Sequence, residues 1–172
     1  GGKMSRGHWT RRFARALYLE DAAGVPLVLV SCDLWNMPGG LIDVVAERLA
    51  RDPALRHIGR EHLLVAATHT HHSQGNFCSS AACNDFAQPL PGFDPDLFEF
   101  LVRRVVGAIG DAVEQRRPAR ALRSQATLAG FFRNRSLEPF LLNPEAADIL
   151  AANAALPECT PTAMFPDPRA CR

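Results

Sequence analysis

The sequence predicts an α/β fold in which a mixed, mainly parallel sheet is flanked by helices. Three features indicate this class: an alternating segment followed by an apolar run, a helical stripe leading to a second apolar run, and a long amphipathic helix further along. With 172 residues, 47% hydrophobic and 22% charged, the chain suits one soluble domain with a real core. A net charge of +1 gives no electrostatic basis for binding nucleic acid. No apolar run approaches the roughly 20 residues that cross a bilayer.

The first two strands are predicted to form a hairpin. Residues 11–20 alternate with the period of two that a strand requires, and residues 21–24 supply turn chemistry. Residues 25–30 are almost wholly apolar, as in a central strand covered on both faces.

A helix and a third strand follow the hairpin. Leu41, Val45 and Leu49 recur every four residues on one helical stripe, which ends before Pro53. Residues 63–68 form another short apolar run. Because a strand, a helix and a strand in this order predict a parallel crossover, residues 25–30 and 63–67 should be parallel neighbours or near neighbours.

The longest predicted helix begins after Asp94 and Pro95, which have the residue types of an N-cap and a first helical position. Its apolar stripe starts at Phe98, and Pro118 ends it. A strand is then predicted over residues 121–132 and a last short helix over residues 143–152.

Five cysteines show no CxxC pair, so their spacing indicates neither a zinc ribbon nor a complete disulfide framework. Cys78 with Cys83, and Cys159 with Cys171, could close short loops in an oxidising compartment. Free thiols throughout are an equally good interpretation.

The segment with the most chemical information is residues 66–76, which follows directly on the third predicted strand. It contains His69, His71 and His72, and ligands bind at the carboxyl ends of strands in open α/β sheets. Neutral imidazole is the commonest metal ligand, and a His-x-His where a strand leaves the core is a recurrent way of offering zinc a nitrogen. The segment therefore indicates a metal or catalytic site. The alternative is an exposed polar loop whose histidines are solvated or bonded locally.

Four segments along the chain carry a family resemblance. In order they are residues 15–21, residues 28–34 with Ser31-Cys32-Asp33-Leu34, Thr68-His69-Thr70-His71, and Asn134-Arg135-Ser136 with Leu142-Asn143-Pro144-Glu145. Together they resemble the neutral, or alkaline non-lysosomal, ceramidase family. Residues 1–172 would then be a partial N-terminal catalytic domain, a fragment of a larger catalytic domain of that type.

The resemblance implies a role for three residues. His69 would be a zinc ligand, His71 would lie beside the metal in the catalytic cleft, and Arg135 would face that cleft and hold the substrate or its developing negative charge. A second histidine, a glutamate and a tyrosine complete the zinc site further along the family's sequence, and nothing here matches them. Without the resemblance, a salt bridge that closes a loop would explain Arg135 better. Asp33 could orient an imidazole, or could cap the end of its strand.

The activity that the resemblance implies is zinc-dependent hydrolysis of the amide bond of an N-acyl lipid such as ceramide. The substrate would be met at a membrane or micelle surface, and the protein partners would be the remainder of the catalytic domain and a possible C-terminal domain. The resemblance also implies a secreted or periplasmic location, although the chain opens without the apolar segment of a signal peptide.

One departure from the family pattern concerns the substrate entrance. His72-Ser73-Gln74-Gly75 stand where the family usually has Ser-Gly-Pro-Gly, so the loop that shapes the entrance differs, and we expect His72 to be exposed to solvent. Two alternatives stay open: the unmatched zinc ligands favour a noncatalytic or incomplete ceramidase-like module, and the altered loop leaves room for a hydrolase of the same fold that acts on a small soluble amide or ester.

Overall fold

The computed structural model of the chain describes residues 7, 10–87, 90–125 and 136–153. The chain divides into two compact units, Gly1–Pro118 and Ala119–Arg172. The first unit contains, in order, β1 (Ala14–Glu20), β2 (Pro26–Cys32), α1 (Gly39–Arg51), a 3₁₀ turn (Arg60–His62), β3 (Leu63–Ala67), α2 (Ala81–Ala87) and α3 (Pro95–Glu114). The second unit contains α4 (Leu137–Leu141) and α5 (Ala146–Asn153).

The three described strands form one sheet in the order β1-β2-β3. β1 and β2 are antiparallel, with Tyr18 opposite Val28, and β2 and β3 are parallel, with Val30 opposite Val65. The predicted hairpin and the predicted parallel pair are therefore confirmed. The sheet is mixed, as predicted. One antiparallel and one parallel pair do not confirm that it is mainly parallel.

The hairpin turn is held by the side chain of Asp21. Its carboxylate accepts hydrogen bonds from the amides of Ala23 and Val25, both at 2.9 Å, and Gly24 adopts a positive φ of 80°. A carboxylate that bonds the backbone two residues ahead is the usual chemistry of such turns. Local sequence is therefore enough to close this hairpin.

The core of the first unit lies between one face of the sheet and helices α1 and α3. The predicted stripe of Leu41, Val45 and Leu49 is fully buried there. It joins a cluster of buried apolar residues from the sheet and from α3, whose members include Val28, Val30, Leu63, Val102, Val105, Ile109 and Val113. Burial of such side chains contributes on the order of 1.5–3 kcal/mol each.

The opposite face of the sheet is apolar and exposed among the described residues. Leu17, Leu19, Leu27 and Leu64 are each 45–61% exposed. The prediction that residues 25–30 are covered on both faces is therefore wrong for the described part of the chain. The reason is geometric: successive residues of β2 point to opposite faces, and its burial alternates accordingly.

Helix α3 begins as predicted. The Asp94 carboxylate accepts a hydrogen bond from the Leu97 amide at 2.9 Å, and Pro95 occupies the first turn. The helix ends at Glu114, before Pro118. Within the described residues no helix has the length and apolarity needed to cross a bilayer.

Two predictions for the second unit have different outcomes. The last short helix is confirmed as α5. Residues 121–125 have no regular structure, so the strand predicted over residues 121–132 is wrong there, and residues 126–132 lie outside the described residues. Leu122 in this segment is 82% exposed.

Candidate active site

The histidine segment begins where β3 ends, beside the end of β2. The Thr68 amide donates to the Cys32 carbonyl oxygen at 2.9 Å and so extends the parallel pairing by one residue. The next residue, His69, has a φ of 59°. A left-handed backbone is uncommon for residues other than glycine and costs of order 1 kcal/mol or more. This turn ends the alternation of the strand, so His69 and His71 need not point to opposite faces.

The rings of His69 and His71 meet. Their Nε2 atoms are 3.3 Å apart, and their ring centroids are 4.9 Å apart with the planes at 73°. Both residues are exposed in the described structure. The two Nε2 atoms therefore lie side by side at the carboxyl end of β3.

The other nitrogen of His69 is held by the backbone. His69 Nδ1 lies 2.6 Å from the main-chain oxygen of Trp35, which follows β2. A carbonyl oxygen can only accept, so the proton lies on Nδ1, and in the neutral ring Nε2 keeps its lone pair. Histidines that bind metals usually donate their second ring nitrogen to a carbonyl or carboxylate in this way.

This arrangement fits a nitrogen ligand for zinc. With Zn–N bonds of about 2.0–2.1 Å, two nitrogens on a tetrahedral zinc ion are separated by ~3.3 Å, which is also the separation of a hydrogen bond between the rings. The separation of His69 and His71 is therefore compatible with two ligands of one zinc ion and equally with a hydrogen bond between the two rings. No group of three or more potential metal-binding side chains occurs among the residues that the structure describes.

The remaining predicted residues have separate positions. His72 is exposed, as expected, and its main-chain oxygen accepts a hydrogen bond from the Arg12 guanidinium. Arg135 lies outside the described residues, so its role stays a prediction.

The buried Tyr18 hydroxyl donates to Glu20 and lies 3.2 Å from His57 Nε2. Burial and the bond to Glu20 raise the pKa of Tyr18 to about 12.

Asp33 closes the end of the hairpin. Its carboxylate accepts from the Arg15 guanidinium at 3.0 Å and from the Phe13 amide at 3.1 Å. These contacts favour the strand cap over the alternative in which Asp33 orients an imidazole. The hydrogen bond from Arg15 lowers the pKa of the Asp33 carboxyl below its usual range.

The structure distinguishes between disulfides and free thiols for three of the five cysteines. Cys78 and Cys83 form a disulfide. Cys32 is a buried free thiol, and burial, aided by the neighbouring charge of Asp33, raises its pKa to about 11. Cys159 and Cys171 lie outside the described residues.

Sequence analysis did not identify Trp35 and Arg12 as parts of this site. Trp35 uses its main-chain carbonyl to contact His69, 34 residues away, and every residue type carries a carbonyl. Arg12 contacts a main-chain oxygen 60 residues away. Neither contact requires a distinctive residue type at both positions, so neither could be recognised before the fold was known.

Comparison with known proteins gives one consistent result. The family described as neutral/alkaline non-lysosomal ceramidase, N-terminal, matches residues 2–151. The chain is 32% identical over 143 residues to a neutral ceramidase of Drosophila melanogaster, and this match covers 83% of the chain and 20% of that protein. It is 33% identical over 145 residues to the neutral ceramidase of Pseudomonas aeruginosa, with 83% and 21% covered.

A solved structure is similar as well. It is a ceramidase complexed with C2, to which the chain is 32% identical with a TM-score of 0.66, covering 77% of this chain and 20% of that one. The chain spans about a fifth of the length of these relatives.

Proposed function

Since the chain belongs to the neutral/alkaline non-lysosomal ceramidase family, we propose that it is part of a zinc-dependent hydrolase that cleaves the amide bond of an N-acyl lipid such as ceramide. The products would be the free amine, sphingosine in the case of ceramide, and a fatty acid. One observation carries this proposal: His69 Nδ1 lies 2.6 Å from the Trp35 carbonyl oxygen, which directs Nε2 of the same ring towards His71 Nε2 at 3.3 Å.

Zinc bound to His69 Nε2 would act as a Lewis acid on the amide carbonyl and would make a bound water more acidic. Proton transfer and stabilisation of negative charge would come from the side chains of His71 and Arg135. His71 is close enough to the same point to give a proton to the leaving amine, or to hydrogen-bond the negative oxygen of the tetrahedral intermediate. Arg135 would add a fixed positive charge near that oxygen.

The names of the relatives support the proposed substrate class. The similar solved structure is a ceramidase in complex with C2, and the similar proteins of Drosophila melanogaster and Pseudomonas aeruginosa are named neutral ceramidases. The segment from His72 to Gly75 departs from the family pattern at the substrate entrance, and the Arg12 guanidinium fixes the carbonyl of its first residue. This departure keeps a small soluble amide or ester as the second candidate substrate.

The test compares His69→Ala, His71→Ala and the control His72→Ala in the complete gene product. Zinc content and hydrolysis of long-acyl and short-acyl amides are measured for each variant, before and after chelation. We expect His69→Ala to lose zinc and activity. His71→Ala should retain zinc and lose about 100-fold or more in kcat, the usual cost of removing such a donor. His72→Ala should keep both.

Two results would count against the proposal. If His69→Ala retained zinc at the level of the unaltered protein, His69 would not be a ligand. If chelation left hydrolysis unchanged, the reaction would not depend on a metal. A preference for short-acyl amides would favour the second candidate substrate.

A further inference from the structure

The loop between β2 and α1, residues 33–38, contacts the site on one side and a disulfide on the other. On the site side, the Trp35 carbonyl accepts from His69 Nδ1 at 2.6 Å. On the other side, the side-chain amide of Asn36 donates to the sulfurs of Cys78 at 3.5 Å and Cys83 at 3.7 Å. Sulfur is a weak acceptor, but both sulfurs of one disulfide face the same amide. Adjacent residues of one loop therefore connect the disulfide to the histidine.

The disulfide is itself firmly held. Asn84 is 2% exposed, and its side chain makes two bonds of 3.0 Å to the backbone of Cys78, one to the amide and one to the carbonyl oxygen. Cys78 is 3% exposed, and the preceding Phe77 is fully buried in the core. A buried amide that is satisfied by two backbone groups gives a specific and rigid contact.

The same two chain segments approach closely at a second point. A Cβ atom added at Gly40, in the first turn of α1, would lie 2.9 Å from the Cβ of Ser79. This distance leaves no space for a side chain at position 40. The loop that carries Trp35 and Asn36 is therefore bounded at its far end by a second contact with the disulfide segment.

We propose that Asn36 is a positioning residue for His69, and that the Cys78–Cys83 disulfide is the support from which it acts. The disulfide fixes the Asn36 side chain, the Asn36 backbone fixes the Trp35 carbonyl, and this carbonyl holds the His69 ring. An exposed imidazole on a left-handed backbone needs such an external contact to keep one orientation. The use of Nε2 for zinc rests on the proposed function, whereas the orientation of the ring does not.

The test measures which ring nitrogen carries the proton. Long-range ¹H–¹⁵N spectra of protein labelled at histidine, taken without metal at a pH of about 8.5, distinguish the two neutral tautomers. His69 should be protonated on Nδ1. His62 is an internal reference with the opposite tautomer, because its Nδ1 accepts from the Gly59 amide at 2.9 Å. A competition assay measures zinc affinity separately.

The variants are Asn36→Leu and the double variant Cys78→Ser/Cys83→Ser, with Gln115→Leu as the control that removes an exposed amide at the end of α3. We expect His69 in both test variants to become a mixture of tautomers, and zinc affinity to fall by about 10-fold, as for other contacts that orient a ligand. His62 should keep its tautomer, which shows that the turn leading into β3 is intact. Gln115→Leu should resemble the unaltered protein in both measurements.

A phosphine provides a test without mutation. It reduces the disulfide to two thiols, and water supplies the oxygen of the phosphine oxide that forms. In the unaltered protein this treatment should reproduce the His69 spectrum of the double variant, and it should leave the double variant unchanged. A His69 tautomer that stays on Nδ1 in Asn36→Leu, or after reduction, would overturn the proposal. A protein that shows the tautomer shift but binds no zinc would instead contradict the proposed function alone.

Discussion

Asp33 joins the ends of β1 and β2 through both its side chain and its backbone. The carboxylate accepts from Arg15 and Phe13, and the Asp33 amide donates to the Phe13 carbonyl oxygen at 2.8 Å. Because β2 ends beside β3 at the histidines, this contact secures the edge of the sheet where the site lies. An acid that is satisfied in this way is stabilised in its ionised form.

This contact predicts a specific pH dependence for Asp33→Asn. The pKa of Asp33 is lower in the folded than in the unfolded protein, so its contribution to stability is present above about pH 4 and is lost as the pH falls towards the folded pKa. Denaturant unfolding between pH 7 and pH 3 should show the variant less stable by under about 1 kcal/mol at neutral pH, since Arg15 is largely exposed. The difference should shrink below pH 4. Asp111→Asn controls for the loss of one carboxylate, and a difference that grew with acidity would exclude this role.

The position of the two histidines directly after β3 could be predicted from the sequence, because an apolar run predicts the strand and His69 and His71 follow it. Their mutual orientation could not be predicted. It depends on the left-handed backbone of His69 and on a carbonyl at Trp35, and neither is encoded by a distinctive residue type. The contacts of Asn36 could not be predicted either, because its partners are sulfurs more than 40 residues away in the chain.

Among the helices, glycine has two opposite uses. Gly107 lies in the middle of α3, is exposed, and has no atom within 4 Å of the place where a Cβ would stand. Gly40 lies in the first turn of α1, where a Cβ would collide with Ser79. The first glycine weakens its helix without a packing reason, whereas the second permits two segments to approach.

Substitution to alanine should separate these two uses. Gly107→Ala should raise the free energy of unfolding by about 0.5–1 kcal/mol, because alanine loses less backbone entropy in a helix. Gly40→Ala should lower it in spite of the same gain, and the double variant Gly40→Ala/Ser79→Gly should recover most of the loss. Urea unfolding measures all three. Stabilisation by Gly40→Ala alone would show that the approach of Ser79 is not tight.

Helices and strands were predictable where apolar residues recur at a regular spacing or where a helix begins with a recognisable N-cap residue. The alternation of β1, the stripe of α1 and the Asp94 cap of α3 each correspond to an observed element. Helices α2 and α4 were not predicted, because segments of seven and five residues are too short to show a period of 3.6. The failure at residues 121–125 has another cause: among the described residues the sheet contains β1, β2 and β3 alone, so this segment has no partner strand there.

In the molecule as a whole, the sheet has one packed face and one apolar face that is exposed in the described structure. Leu17 and Leu64 lie on this second face, on either side of the central strand. An apolar surface of this kind favours association with other apolar surfaces. Its behaviour can be tested on the 172-residue chain itself.

We expect this chain to bind a hydrophobic dye and to scatter light at high concentration. The double variant Leu17→Lys/Leu64→Lys should reduce both signals, because two charges on the face oppose its burial against another surface. Leu122→Lys is the matched control, since Leu122 is more exposed than either residue but lies outside the sheet. An equal effect of the control would mean that exposure alone, and not the sheet face, causes the association.

The spatial order of the strands has a consequence for synthesis. Because the strands lie in the sheet in the order in which they occur in the chain, each new strand leaving a ribosome finds its partner already present. The hairpin closes through a few residues held by Asp21, and β3 needs only the helix before it to return to the growing edge. Assembly of these three strands can therefore follow translation, and the segment that carries the histidines emerges directly after β3, beside strands that are already present.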